Sequence, residues 1–243
     1  MRMSRAVPLR LTLRPRVTVA LSDLFSLRRR PETDEGAGSD APPHPSKALA
    51  KFLASLQSRP QPVLLDLGPV VGSNLTFFGE ELGCKIFVEN VFKDIDRHVL
   101  ESKLEELPAF FEQRFPQADA TFDGILCWDA LDYLDKKTGP VVARHLARLL
   151  KPEGALLALF NASEPRETDA ATYTRFVVVD RANLQYRHYP AAKRRGRALQ
   201  NRDIQRMFEP LRIVEQFLLK TNVREVLFRK AALPPVSSIS GPT

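Results

Sequence analysis

Two glycines and two carboxylates stand where apolar runs end. In Asp66-Leu67-Gly68-Pro69-Val70-Val71-Gly72-Ser73-Asn74, Gly68 and Gly72 permit backbone angles and close approaches that a side chain would block. A helix starting there offers free N–H groups. Glu89 closes the next apolar run, placed to accept hydrogen bonds from a ribose diol. The set is a nucleoside-binding arrangement. A pyrophosphate seeks the positive end of a helix dipole, and Asp66 beside the turn suits a cationic amino-acid moiety better. Trp128 closes a third run, where an indole can cover a purine or line a substrate mouth. Asp129 is a further ligand candidate for the nucleoside, and Asp132, Tyr133 and Tyr173 are candidates for the substrate side. The plain alternatives are a tight turn for the glycines, core for Trp128, and a helix cap and solvated face for Asp129 and Asp132.

The elements that must hold these residues follow from hydrophobic spacing. Ser46 precedes Leu49, Phe52, Leu53 and Leu56, a capped amphipathic helix ending near Ser58 and lying across the domain entrance. Residues 63–67, 85–88, 122–128 and 155–160 are apolar runs too short for helices and without alternation, which is how strands buried on both faces read. Between them, Ser73 or Asn74 caps a helix carrying Leu75, Phe78 and Leu82. A second, over residues 96–107, aligns Leu100, Leu104 and Leu107. A third opens at Thr138 and Pro140 and stops at Lys151-Pro152-Glu153-Gly154. No third-strand run stands out between Glu89 and Phe122. Asn201 caps a last short helix, and strands over 211–219 and 223–229 are antiparallel because only three residues join them. Alternating strands and helices with right-handed crossovers give an α/β fold: a three-layer α/β/α, Rossmann-like, doubly wound, mostly parallel sheet with a C-terminal antiparallel hairpin.

On these residues the chain resembles the class I S-adenosylmethionine-dependent methyltransferases over about residues 62–230. Their first motif is acidic-x-Gly-x-Gly-x-Gly, and their second strand ends in an acidic ribose ligand. The resemblance implies cofactor binding by Asp66, Gly68, Gly72, Glu89, Trp128 and Asp129, with Asp132, Tyr133 and Tyr173 toward the acceptor. Residues 149–154 are similar to the family's Leu-Lys-Pro-Gly-Gly turn, with Glu153 in place of a glycine. Val70 replaces the middle glycine of the first motif and narrows the space for the cofactor's methionine portion. Asp119 is the candidate for the adenine contact. The implied cofactor is S-adenosyl-L-methionine and the partner an unidentified methyl acceptor. Methyl transfer from a sulfonium releases a neutral leaving group, so alignment supplies much of the rate and no acid or base residue is singled out.

Charge narrows the other classes. Residues 1–30 carry eight arginines against Asp23, which accounts for the whole formal excess of +7. A high overall pI therefore does not mark the folded part as a nucleic-acid binder. The remainder is polarised, with 13 basic and 21 acidic residues over 31–165 and 15 basic and 7 acidic over 166–230. Residues 1–45 read as a disordered Arg-rich leader, a transit sequence or the product of an upstream start codon, followed by a Pro-rich linker. Residues 46–231 form the methyltransferase-like domain and 232–243 a disordered tail. Cys84 and Cys127 are small buried hydrophobes, His145 is a surface or packing histidine, and no histidine and cysteine spacing suits a metal. No apolar run is long enough to span a bilayer, so the expectation is a cytoplasmic protein without a membrane partner. Two rival readings remain. One is a catalytically inactive methyltransferase-like binding or assembly module. The other is an RNA-directed protein using the Arg-rich leader and residues 187–197, in a segment where Tyr186, His188 and Tyr189 interleave with five basic side chains.

Overall fold

The short apolar runs do become the strands of one twisted sheet in the computed structural model, which describes residues 17–19 and 42–232. Strands β1 (Val17–Val19), β3 (Val63–Asp66), β4 (Lys85–Val88), β5 (Phe122–Trp128), β6 (Leu150–Asn161), β9 (Arg212–Leu218) and β10 (Val223–Arg229) form it in the order β1-β4-β3-β5-β6-β10-β9. The first five in that order run parallel, and β10 and β9 add antiparallel. A second, three-stranded antiparallel sheet has the order β2-β8-β7, with β2 (His44–Pro45), β7 (Thr172–Val178) and β8 (Asn183–Pro190).

Alternation along the buried strands divides the core between the sheet's faces. Ile125 and Cys127 join Leu65, Leu156 and Phe228 on one side, under helix Thr138–Leu149. Leu126 and Trp128 join Leu64, Val88 and Leu157 on the other. Helix α1 (Lys47–Gln57) covers that second face: the Ser46 hydroxyl accepts from Leu49 N–H, Glu225 Oε2 accepts from Ala48 N–H, and Leu49, Phe52 and Leu56 are wholly buried. Gly124 allows the approach, since a Cβ there would sit 2.6 Å from Leu56 Cδ2.

Several expectations change. Val17–Val19, from the Arg-rich leader, takes the edge position beside β4 where no run between Glu89 and Phe122 supplied a strand. His44 and Pro45, assigned to the linker, pair with Leu184 and Asn183. The rest of the expected leader and linker, and the tail beyond residue 232, lie outside the described residues. Helix α1 packs on β6, β9 and β10 and does not cross an entrance. The helix after the glycine turn (Gly72–Thr76) starts from Val71 without a side-chain cap and runs into a wider π turn. The helix expected over 96–107 is two. Asn90 caps Val91–Leu100 early, Ser102 turns the chain at φ 57, and Leu107–Gln113 follows, so Leu100 is left 78% exposed. The last helix, Asn201–Met207, is flanked by Gln200 and not capped by Asn201.

Candidate functional site

Parallel pairing aligns the strand ends, and with them the residues singled out for chemistry. Asp66 lies opposite Val88 on β4 and Leu126 on β5. The turn after β3, Glu89 after β4 and Trp128 to Asp132 after β5 therefore converge outside the carboxyl ends of the central strands, the place where open α/β sheets form their ligand crevice. Asp66, Glu89, Trp128, Asp129, Asp132 and Tyr133 are all buried.

Trp128 decides the shape of this crevice. It ends β5 at φ 50, in the left-handed region that costs a non-glycine residue about 1–2 kcal/mol. The turn swings its indole over Gly68. Nε1–H donates to Asp66 Oδ1 at 2.6 Å, an oxygen that also accepts from Gly68 N–H at 2.8 Å. A Cβ on Gly68 would lie 2.9 Å from Trp128 Cδ1, so ring and glycine backbone are in contact. On its other side the indole stacks on Phe176 of β7, with centroids 5.3 Å apart and planes 10° apart. Asn74 ties the same strand to the glycine turn, donating to Phe176 O at 2.9 Å and accepting from Val178 N–H at 2.8 Å. Burial raises Asp66 to about 6, against the two bonds that favour its charge. Val70 is partly buried on the cluster that holds Trp128 and Phe176. The side chain pressed on Gly68 is Trp128, whereas Gly72 has open space around it. As folded, these residues do not fit a nucleoside: the space beside Gly68 is filled by an indole.

Glu89 is equally engaged. Oε2 accepts from Arg114 Nη1 at 2.6 Å and Oε1 from Gln117 Nε2 at 3.0 Å, while Arg114 Nε reaches Asp94 at 2.8 Å. Asp119 is displaced from this group, exposed and paired with Arg148 at 2.7 Å.

Beyond β5 the acids turn the other way. Asp132 Oδ2 accepts from Asn161 N–H at 2.7 Å and from its side-chain amide at 2.9 Å. Oδ1 of Asp132 and Oδ1 of Asp129 are buried with no partner. Burial raises Asp132 to about 6, and burial together with the Asp132 charge puts Asp129 well above the carboxylate range. Tyr133 donates to Thr172 O at 2.7 Å, and Tyr173 stacks between Phe92 and Tyr189. Three adjoining cavities of about 920, 820 and 260 Å³ open here. Arg194 and Arg195 line the first and third, Gly196 and Arg197 the first and second, and Asp132 stands in the wall of the second and Tyr133 in that of the third. Lys193, Arg194 and Arg195 bond to backbone oxygens of Tyr133, Glu167 and Ser163. Tyr186, read with the basic segment, is instead buried edge-on against Phe176.

Arg114, Gln117 and Phe176 were missed from sequence, whereas Asn161, which closes the last parallel strand, stands among the strand ends where the sequence puts the crevice. No local spacing ties Arg114 to Glu89 or Phe176 to Trp128; only Asn74, in the motif itself, was visible, and it was read as a cap. Among the described residues no cluster of His, Cys, Asp and Glu could hold a metal ion, and no helix is long and apolar enough to cross a membrane.

Comparison with known proteins places this geometry. A family model described as a methyltransferase domain matches residues 39–210. No curated protein matches the chain. Among solved structures, the CcbJ methyltransferase of Streptomyces caelestis is 16% identical, with 82% of this chain and 100% of that one covered at a TM-score of 0.49. The 1,6-didemethyltoxoflavin-N1-methyltransferase of Burkholderia thailandensis, solved with bound 1,6-didemethyltoxoflavin and S-adenosylhomocysteine, is 18% identical over 76% of this chain and 79% of that one, at 0.45. The PH0226 protein of Pyrococcus horikoshii OT3 is 13% identical over 76% and 88%, also at 0.45. Such values are too low to carry chemistry from one protein to another.

Proposed function

Because the chain belongs to the methyltransferase-domain family, whose cofactor is S-adenosylmethionine, we propose that it methylates a small anionic acceptor held in the groove lined by Arg166 and by Lys193 to Arg197, which adjoins the cavities of Asp132 and Tyr133. The observation that carries the reading is the convergence of Asp66, the Gly68 to Gly72 turn and Glu89 at the ends of two paired parallel strands. The nature of the acceptor follows from the groove wall. Arg166, Lys193, Arg194, Arg195 and Arg197 outnumber Glu164 and Glu167 there. Backbone oxygens orient Lys193, Arg194 and Arg195, and with cations in excess over carboxylates in its lining the groove favours an anion.

Calorimetric titration of the full chain with S-adenosylhomocysteine, and separately with inorganic pyrophosphate, tests both halves. Binding of each is expected, and Arg197→Gln should weaken pyrophosphate several-fold with an unchanged melt. Absence of heat and of any melting shift with S-adenosylhomocysteine removes the methyl-transfer reading; unchanged pyrophosphate binding in the variant removes the anionic acceptor. One observation favours a second reading, a binding module without transfer: the indole that fills the space beside Gly68.

A further inference from the structure

We infer that Trp128 is an internal occupant of the cofactor cradle, so that indole and nucleoside exclude one another, and that the β7 strand is the clamp holding the indole in. The inference rests on the family reading for the identity of the ligand and on this chain alone for the occupant. Four contacts converge on one ring. Its N–H is bound to the motif's first carboxylate at 2.6 Å. Its edge lies against Gly68, where nothing larger than hydrogen fits. One face carries Phe176 nearly parallel at 5.3 Å. The backbone on either side of Val177 is clasped by Asn74 from the glycine turn. A planar aromatic ring with a donor on Asp66 thus stands where a ligand using that turn would lie. The left-handed backbone at Trp128, which a bulky residue adopts only when its surroundings hold it there, marks the placement as built into the fold. Glu89 is closed independently by Arg114 and Gln117, so a ribose must displace those donors as well. Cofactor uptake then requires the indole to leave the space between Gly68 and Phe176 and β7 to lift. An apparent affinity reduced by the fraction of closed molecules follows directly.

The chain has a single tryptophan, so its emission reports Trp128 alone. S-adenosylhomocysteine is titrated into the full chain, following fluorescence and heat, for wild type, Trp128→Ser and Phe176→Ala. Binding to wild type should red-shift the emission as the indole enters water, and Trp128→Ser should bind at least tenfold tighter. Phe176→Ala leaves the ring but removes its clamp; it should bind several-fold tighter and red-shift the emission without ligand. It also keeps the test open should Trp128→Ser not fold. If wild type fails to bind while either variant binds, the occupant stands and the methyl-transfer reading falls. Binding to wild type with unchanged emission overturns the inference. So does binding by a cooperatively melting variant no tighter than wild type, or no binding by any of the three.

Discussion

Replacing Trp128 with Phe keeps an aromatic ring near Phe176 and removes one proton donor, so it isolates the bond to Asp66. Asp66 is buried, and desolvation, outweighing the donors at Gly68 and Trp128, raises it to about 6. A hydrogen bond to a charged group is worth roughly 1.5–3 kcal/mol. Only its excess over the neutral bond that protonated Asp66 still accepts, roughly 1–2 kcal/mol, shifts the titration, so at 1.36 kcal/mol per pH unit its loss moves Asp66 up by about 1 unit. A carboxyl whose folded-state value lies above its unfolded 3.8 stabilises the fold most below 4, and that contribution is lost as pH rises through the folded value. In wild type the loss is complete above about 6; in the variant it continues to roughly 7. The variant's deficit should therefore grow between pH 5 and pH 8 by about 1–2 kcal/mol, the charged bond minus the neutral bond still present when Asp66 is protonated. The smaller ring's packing loss is independent of pH and cancels in that difference. Urea unfolding at the two pH values measures it, and a deficit equal at both, or larger at pH 5, refutes the electrostatic account.

Asp132→Asn should stabilise the protein at pH 8 by roughly 1–3 kcal/mol, because it removes a buried charge raised to about 6 and relieves Asp129, with the gain vanishing by pH 4; melting curves across that range decide, and a loss at pH 8 contradicts it. Arg114→Ala leaves Glu89 and Asp94 partly buried without their shared cation, and should cost about 3 kcal/mol or more in denaturant unfolding. A cost below about 0.5 kcal/mol, the scale of an exposed pair, would mean that the pair is solvated. Asn74→Ala strands Phe176 C=O and Val178 N–H, at about 1–3 kcal/mol each. Amide exchange across residues 172–190 should accelerate while β3 and β5 stay protected, and uniform acceleration would show that the small sheet does not open separately.

These outcomes bear on how a methyltransferase-type sheet controls its own crevice. The strand ends present acids and glycines in an order dictated by parallel pairing, yet the same geometry lets the residue after Cys127 turn inward and bond to Asp66. The Arg-lined groove on the Asp132 side is walled by residues other than those around the indole.

What the amino-acid sequence determined by itself is whatever depends on local periodicity. Uninterrupted apolar runs had to be strands buried on both faces, stripes such as Val142, Leu146 and Leu149 had to face the sheet, and a three-residue link had to make the last pair antiparallel. Parallel pairing then followed, and with it the gathering of Asp66, Glu89 and Asp132 at one end. Tertiary structure alone decided matters that turn on contacts between distant segments. It brought Val17–Val19 to the edge beside β4, set Phe176 over Trp128 across 48 positions of chain, and gave Glu89 to Arg114. A strand's last residue has no partner on its own strand to fix where its side chain points. For Trp128 that direction was chosen by a carboxylate from one strand and a ring from another sheet, and no pattern of neighbours along the chain encodes either.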